Sequence, residues 1–138
     1  LEIYLKLKGN GKPLTFKRSA ERATRYLTAV SSDKSLASYK RCDATSLRDN
    51  LFERGLAGSS VVRIFNTIKA IFNFVCIEKG IEIPNPFIGL YIDRGRGVTV
   101  RKLIPIANIR LIQSECKKVS DELRMIVALV SDTGMRLS

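Results

Sequence analysis

The segment Asp132-Thr133-Gly134-Met135-Arg136-Leu137-Ser138 places an arginine two residues beyond a glycine that follows a helix-patterned apolar run. Glycine is the usual residue at which a helix ends in a left-handed turn, so Arg136 is expected just past a rigid support. A guanidinium held there can grip a phosphate through two parallel hydrogen bonds. The same arrangement is common with the arginine simply facing water, and this segment alone favours that simpler reading. A second set, Arg63, Asn66, Lys69 and Asn73, recurs at steps of three and four, the spacing that gathers side chains on one side of a helix. No acid stands between Ser60 and Ile77, and Ala70 keeps that side low. Two cations and two amides so placed suit phosphates and base edges in a DNA groove; the alternative is an ordinary solvated face. The third set is Arg94, Arg96, Arg101 and Lys102, in a Gly-containing stretch. It serves either as a solubilising tether or as a track along a phosphate backbone.

The residues that hydrolytic or metal chemistry requires are missing from the pattern. The chain has no His, no glycine-rich phosphate loop of the Walker type, and no carboxylate pair at helical spacing. Tyr4, Tyr26, Tyr39 and Tyr91 have no recognisable activating neighbours. No metal and no cofactor is expected. Cys42, Cys76 and Cys116 are odd in number and widely spaced, which fits neither a disulfide scaffold nor a zinc site. Cys76 and Cys116 sit among apolar residues and are expected to be buried thiols, in a reduced, cytoplasmic compartment.

Charge bounds the partner. The chain has 138 residues, 45% of them hydrophobic, and a formal net charge of +11 from 24 Lys+Arg against 13 Asp+Glu. Such an excess points to a polyanion. No unbroken run of about 18 apolar residues is present to span a bilayer, and no signal peptide opens the chain. The basic residues are dispersed rather than gathered in one amphipathic helix, so nucleic acid is favoured over a membrane. The chain begins at Leu1 and stops at Ser138 within a patterned element; it is expected to be a monomeric fragment of a longer protein.

Residues 1–14 are weakly patterned; the first eight fit a helix end or a short strand, and a Gly/Pro cluster follows. From Thr15, Phe16, Ala20, Ala23, Leu27 and Val30 form a helical stripe, with Lys17, Arg18, Glu21, Arg22 and Arg25 off it. Ser31-Ser32-Asp33 breaks this helix. A short piece near Leu36–Tyr39 precedes a helix over about Thr45–Arg54, capped by Asp43 or Thr45 and stopped by Gly55. The longest helix is predicted over Ser60–Glu78, started by Gly58 and Ser59 and stopped by Gly80. Its apolar face is Val61, Ile64, Phe65, Ile68, Ile71, Phe72 and Val75. Pro84-Asn85-Pro86 ends this region, with Phe87–Leu90 as one last helical turn against the core. Residues 93–102 read as a linker between domains. Two further helices are predicted, one over Ile106–Val119 through Ile109, Ile112 and Cys116, the other from Ser120 through Leu123, Ile126, Val127 and Val130 to Gly134. The chain is all-α in this reading.

Together these residues resemble the tyrosine recombinase (phage integrase) family. The resemblance runs through Asp43-Ala-Thr-Ser-Leu47, Glu53-Arg-Gly-Leu56, Ser59-Ser-Val-Val-Arg63, Ile68-Lys-Ala-Ile-Phe72, Gly80 and Asn85-Pro86. These match the pattern of that family's helical core-binding domain. Asp132-Thr-Gly-Met-Arg-Leu-Ser138 resembles the motif that carries its first catalytic arginine, without the Glu that usually follows Leu-Ser. The resemblance implies a small SAM-like helical domain over 15–92 that clamps double-stranded DNA, a linker over 93–102, and the first helices of a catalytic domain over 103–138. It implies DNA contacts from Ser59, Ser60, Arg63, Asn66, Lys69, Asn73, Arg94, Arg96, Arg101 and Lys102. It also implies that Arg136 stabilises charge on a phosphate attacked by a tyrosine, in a bacterial or phage-encoded parent that cuts and rejoins DNA within a synaptic tetramer of protomers. None of the four Tyr here corresponds to that nucleophile, so the chain alone is expected to bind but not to cleave. The alternative is a non-enzymatic helical DNA-binding regulator or architectural protein, for which a brief recognition helix is expected; the long Ser60–Glu78 helix speaks against it.

Overall fold

A computed structural model describes residues 1–99, 102–116, 118 and 122–133. Helices α1 (Glu2–Lys8), α2 (Leu14–Ser31), α3 (Arg41–Glu53), α4 (Gly58–Glu78), α5 (Ile106–Cys116) and α6 (Glu122–Thr133) follow in order, with a single 3-10 turn at Leu36–Ser38. The described residues contain no strand. They fall into two compact units, Leu1–Thr99 and Val100–Ser138.

In the first unit the 3.6-residue period decides which side chains leave water. On α4, Val61, Ile64, Phe65, Ile68, Phe72, Val75 and Cys76 are buried, and Ile71 is half-buried. On α2 the buried positions are Ala20, Ala23, Leu27 and Ser31. The two alanines let the backbone of α2 come close to α4, against which α2 packs; α2 also packs on α3. From α3, Ala44, Leu47 and Leu51 are fully buried and complete the core with Phe52. Burial also pushes the Cys76 thiol up, leaving it an inert packing group, whereas Cys116 is only half-buried and Cys42 is exposed. By mean hydropathy, 1.5 over an 18-residue window, α4 is long and apolar enough to cross a membrane, contrary to the expectation from unbroken apolar runs. Its buried apolar residues lie against α2 and α3, Phe74 packs on Tyr4 of α1, and Ile77 is exposed.

Residues 1–8, open between helix and strand in the sequence, are helical because Tyr4 docks. Its ring stacks on Phe16 at 5.7 Å between centroids and meets Phe74 edge-on at 5.4 Å. This second cluster, with Val75 and Ala20, ties α1 to α2 and α4.

Helix α3 starts four residues before the predicted Thr45. Asp43 is not the N-cap but the third helical residue, and its Oδ2 reaches back to accept the Lys40 backbone N–H at 2.8 Å. Its Oδ1 accepts a hydrogen bond from Lys34 Nζ at 2.9 Å. An acid at either position satisfies a free donor at a helix start, which is why the sequence cannot separate them. The Lys34 ammonium and the Lys40 N–H together hold the Asp43 carboxyl below its ordinary range. Lys34 is raised by the same pairing.

After α4, which Gly80 ends with φ at +61°, the chain returns across the core. Phe87 is 1% exposed, with ring centroids 5.8 Å from Phe72, 6.4 Å from Phe65 and 6.2 Å from Tyr39. Asn85 Oδ1 accepts the Phe87 N–H at 2.9 Å. The Arg41 guanidinium donates to the carbonyls of Pro86 and Gly89, each at 2.9 Å, and to that of Ile88. The predicted last helical turn is thus a hydrogen-bonded turn pinned to α3.

The stretch read as a linker from residue 93 remains with the first unit as far as Thr99. Gly58 N–H donates to the Arg96 carbonyl at 2.8 Å, and the Arg96 guanidinium lies 4.4 Å over the Phe52 ring. In the second unit α5 and α6 pack on each other. The predicted face of α5 is not buried there: Ile109 and Ile112 stay 36% and 48% exposed.

Two outcomes follow from these contacts. Phe87→Ala leaves a ring-sized void among three aromatic neighbours and should lower unfolding free energy by about 3–5 kcal/mol, read by urea titration followed by circular dichroism. Asp43→Ala should cost about 1 kcal/mol at neutral pH through the lost acceptor at the helix start. Because the folded carboxyl sits below its ordinary value, its contribution is complete above about pH 4 and fades as pH falls through the lower folded value. The gap between wild type and Asp43→Ala should therefore narrow in acid; a gap that stays constant below about pH 4 counts against the pairing.

Candidate nucleic-acid interface

Burying one face of α4 in the core turns the other outward. Arg63, Asn66 and Asn73 are exposed and Lys69 is half-buried on that side, with Ala70 exposed between them. Ser59 is exposed in the first turn, and Ser60 is half-buried. These residues divide by neighbour. Ser60 and Arg63 line a cleft of about 180 Å³ between α4 and α2, opposite Ser19, Arg22 and Tyr26, with Thr67 beside them. Asn66 and Lys69 line a second cleft of about 270 Å³ against the returning segment, opposite Tyr91 and Arg94. The surface is therefore wider than the helix stripe, carrying Arg22 on one flank and Arg94 on the other.

Asn73 has a different duty. Its Oδ1 accepts from Asn85 Nδ2 at 2.6 Å, and the Lys69 carbonyl accepts from the same amide at 3.4 Å. Asn73 thus helps hold the proline turn in place. Arg96 is likewise engaged over Phe52, so it is a held cation rather than part of a free tether. Lys102 is exposed in the second unit. Arg101 and Arg136 lie outside the described residues.

Apart from Asp93, the charged side chains of this face are cations. Among the described residues, the ion pairs are Lys17–Glu21, Lys34–Asp43, Arg48–Asp49 and Lys118–Glu115. None includes Arg22, Arg63, Lys69 or Arg94. Asp93, the acid nearest in sequence to Arg94, turns its Oδ1 to the Gly95 N–H at 2.9 Å. Cations left without acids gain most from an incoming polyanion, because binding replaces mutual repulsion with attraction and releases counterions. Tyr4 and Tyr39 are both raised by burial, so neither phenol is primed as a nucleophile.

Sequence patterning found the α4 residues but missed Arg22, Ser19 and Thr67. Arg22 was visible only as a cation off the α2 stripe; its place beside Arg63 depends on how α2 crosses α4.

Gly58 keeps the Arg94–Arg96 flank in position. A methyl group there would lie 1.9 Å from the Asp93 carbonyl oxygen and 2.8 Å from the Arg94 Cα. Both are backbone atoms, so the strand of chain must move. Gly58→Ala should leave α4 helical, alanine being the better helix former, yet release residues 93–97. Faster hydrogen exchange of the amide at position 58 with retained helical dichroism is the expected pair of readings; unchanged protection would show that the segment tolerates the methyl.

No family model, curated protein or solved structure matches the chain, so this surface and the residue pattern carry the functional reading.

Proposed function

We propose that the chain binds duplex DNA through the outward face of α4 and its two flanks, as the helical core-binding part and the beginning of the catalytic part of a site-specific tyrosine recombinase. The observation that carries the DNA-binding reading is the cluster of Arg22, Arg63, Lys69 and Arg94, none of them in an ion pair among the described residues. The recombinase reading is supported by the residue resemblance, above all Thr133-Gly134-Met135-Arg136-Leu137-Ser138. In it Arg63 and Lys69 neutralise phosphates, Asn66 is within the groove, and the SAM-like arrangement of α2, α3 and α4 clamps one side of the duplex. Arg136 stabilises the charge that develops on a phosphate during strand cleavage in the intact recombinase, whose tyrosine forms the phosphotyrosine bond, with other protomers completing a synaptic tetramer.

Labelled duplex titrated at several salt concentrations tests the binding. With some five phosphates neutralised, log K should fall with log salt at a slope of about −4 to −5. Arg63→Glu combined with Lys69→Glu should abolish the binding while circular dichroism stays helical, since neither side chain is in the core. A flat salt response rejects nucleic acid as the partner. Undiminished binding by the folded double variant assigns the contact to another face.

A further inference from the structure

The cleft beside Asn66 and Lys69 has a composition that phosphate binding alone does not call for. Beside its polar groups it is lined by Val62, Leu90 and Ile92, all half-buried. Its rim is polar, with the Asn66 amide, the Lys69 ammonium and the Arg94 guanidinium, and no carboxylate lines it. Tyr91 also lines it, yet is 78% exposed. An open π-face beside cations is a ready platform for a flat ligand. The Tyr91 backbone is held while its side chain stays open: Arg48 donates to the Tyr91 carbonyl at 3.3 Å. At about 270 Å³, the cleft is slightly smaller than the roughly 300–1,000 Å³ of sites for drug-sized ligands. That suits one flat heterocycle with its attached phosphate.

We infer that this cleft is a nucleotide-binding subsite that takes a single unpaired DNA base, stacked on Tyr91, with its phosphate between Lys69 and Arg94. The Asn66 amide, which offers both donor and acceptor, faces the hydrogen-bonding edge of such a base. The inference rests on the duplex-binding reading for delivery of the DNA, and adds to it a preference for a strand in which one base has left the stack. The unpairing cost falls on the DNA and is least where the base is already unpaired. The preference is therefore largest for a duplex that contains a single-nucleotide bulge.

Two labelled duplexes of the same sequence, one perfect and one with a one-nucleotide bulge, are compared by fluorescence anisotropy with the full chain. Stacking of one base on an aromatic ring contributes about 1–3 kcal/mol, so the bulged duplex should bind at least about fivefold tighter. Tyr91→Ala should lose that preference, so that the two duplexes bind it alike. Tyr91→Trp should keep the preference, and, since the chain has no tryptophan of its own, its emission reports the site alone. Quenching by the bulged duplex and not by the perfect one is the expected signature. Equal wild-type affinity for the two duplexes overturns the inference, as does a preference that survives Tyr91→Ala. Absence of binding to either duplex overturns it together with the DNA reading; good binding to the perfect duplex with no preference overturns the subsite alone.

Discussion

The insertion of Phe87 under the α4 helix is the contact on which the rest of the first unit depends. Its ring is almost wholly removed from water, where it touches rings from α4 and from the segment before α3. Arg41 holds the same turn by three carbonyls. A guanidinium suits this task because its donors lie in one plane and need no carboxylate when several carbonyl oxygens converge. With the turn fixed at both ends, the chain from Tyr91 to Arg96 has little choice of path. It runs beside the outer face of α4 and reaches the Gly58 amide at that helix's first residue.

This arrangement separates stability from the proposed recognition on a single helix. The apolar half of α4 holds the fold, whereas the polar half can carry cations whose mutual repulsion the core contacts outweigh. Exposed ion pairs contribute little in any case, with a median near 0–1 kcal/mol. Leaving Arg63 and Lys69 without acids therefore costs the fold little and leaves a mainly cationic surface. The Lys34–Asp43 pair, by contrast, lies at the start of α3 and serves the backbone there.

Much of this was legible in the amino-acid pattern. The core face of α4 and the stops at Gly55 and Gly80 follow from period and backbone preference, because a long amphipathic helix satisfies local and global requirements together. The cations on its outer side were legible for the same reason. Three features were not. The start of α3 was displaced because Asp43 serves the helix from inside rather than from its cap. The first helix was ambiguous because Leu1, Ile3, Leu5 and Leu7 alternate as a strand does, and only the docking of Tyr4 decides. The return of residues 93–97 depends on a backbone bond across nearly forty positions, Gly58 to Arg96, and no local pattern encodes such a contact. Arg22 and Tyr91 joined the candidate surface by tertiary placement alone.

The outward stripe of α4 is also a ruler. From Arg63 to Lys69 the helix advances six residues, about 9 Å at 1.5 Å per residue, and the interior packing of Ile64, Phe65 and Ile68 prevents that interval from stretching. Each strand of a duplex advances about 3.4 Å along its axis per phosphate. A helix aligned with a DNA groove, as proposed, would sample the backbone at an interval of between two and three phosphates, a spacing set by core packing rather than by side-chain reach. On the proposed DNA-binding reading, geometry of this kind would make the register between protein and strand a property of the hydrophobic interior, so that residues which never meet the DNA would still determine where along it the chain settles.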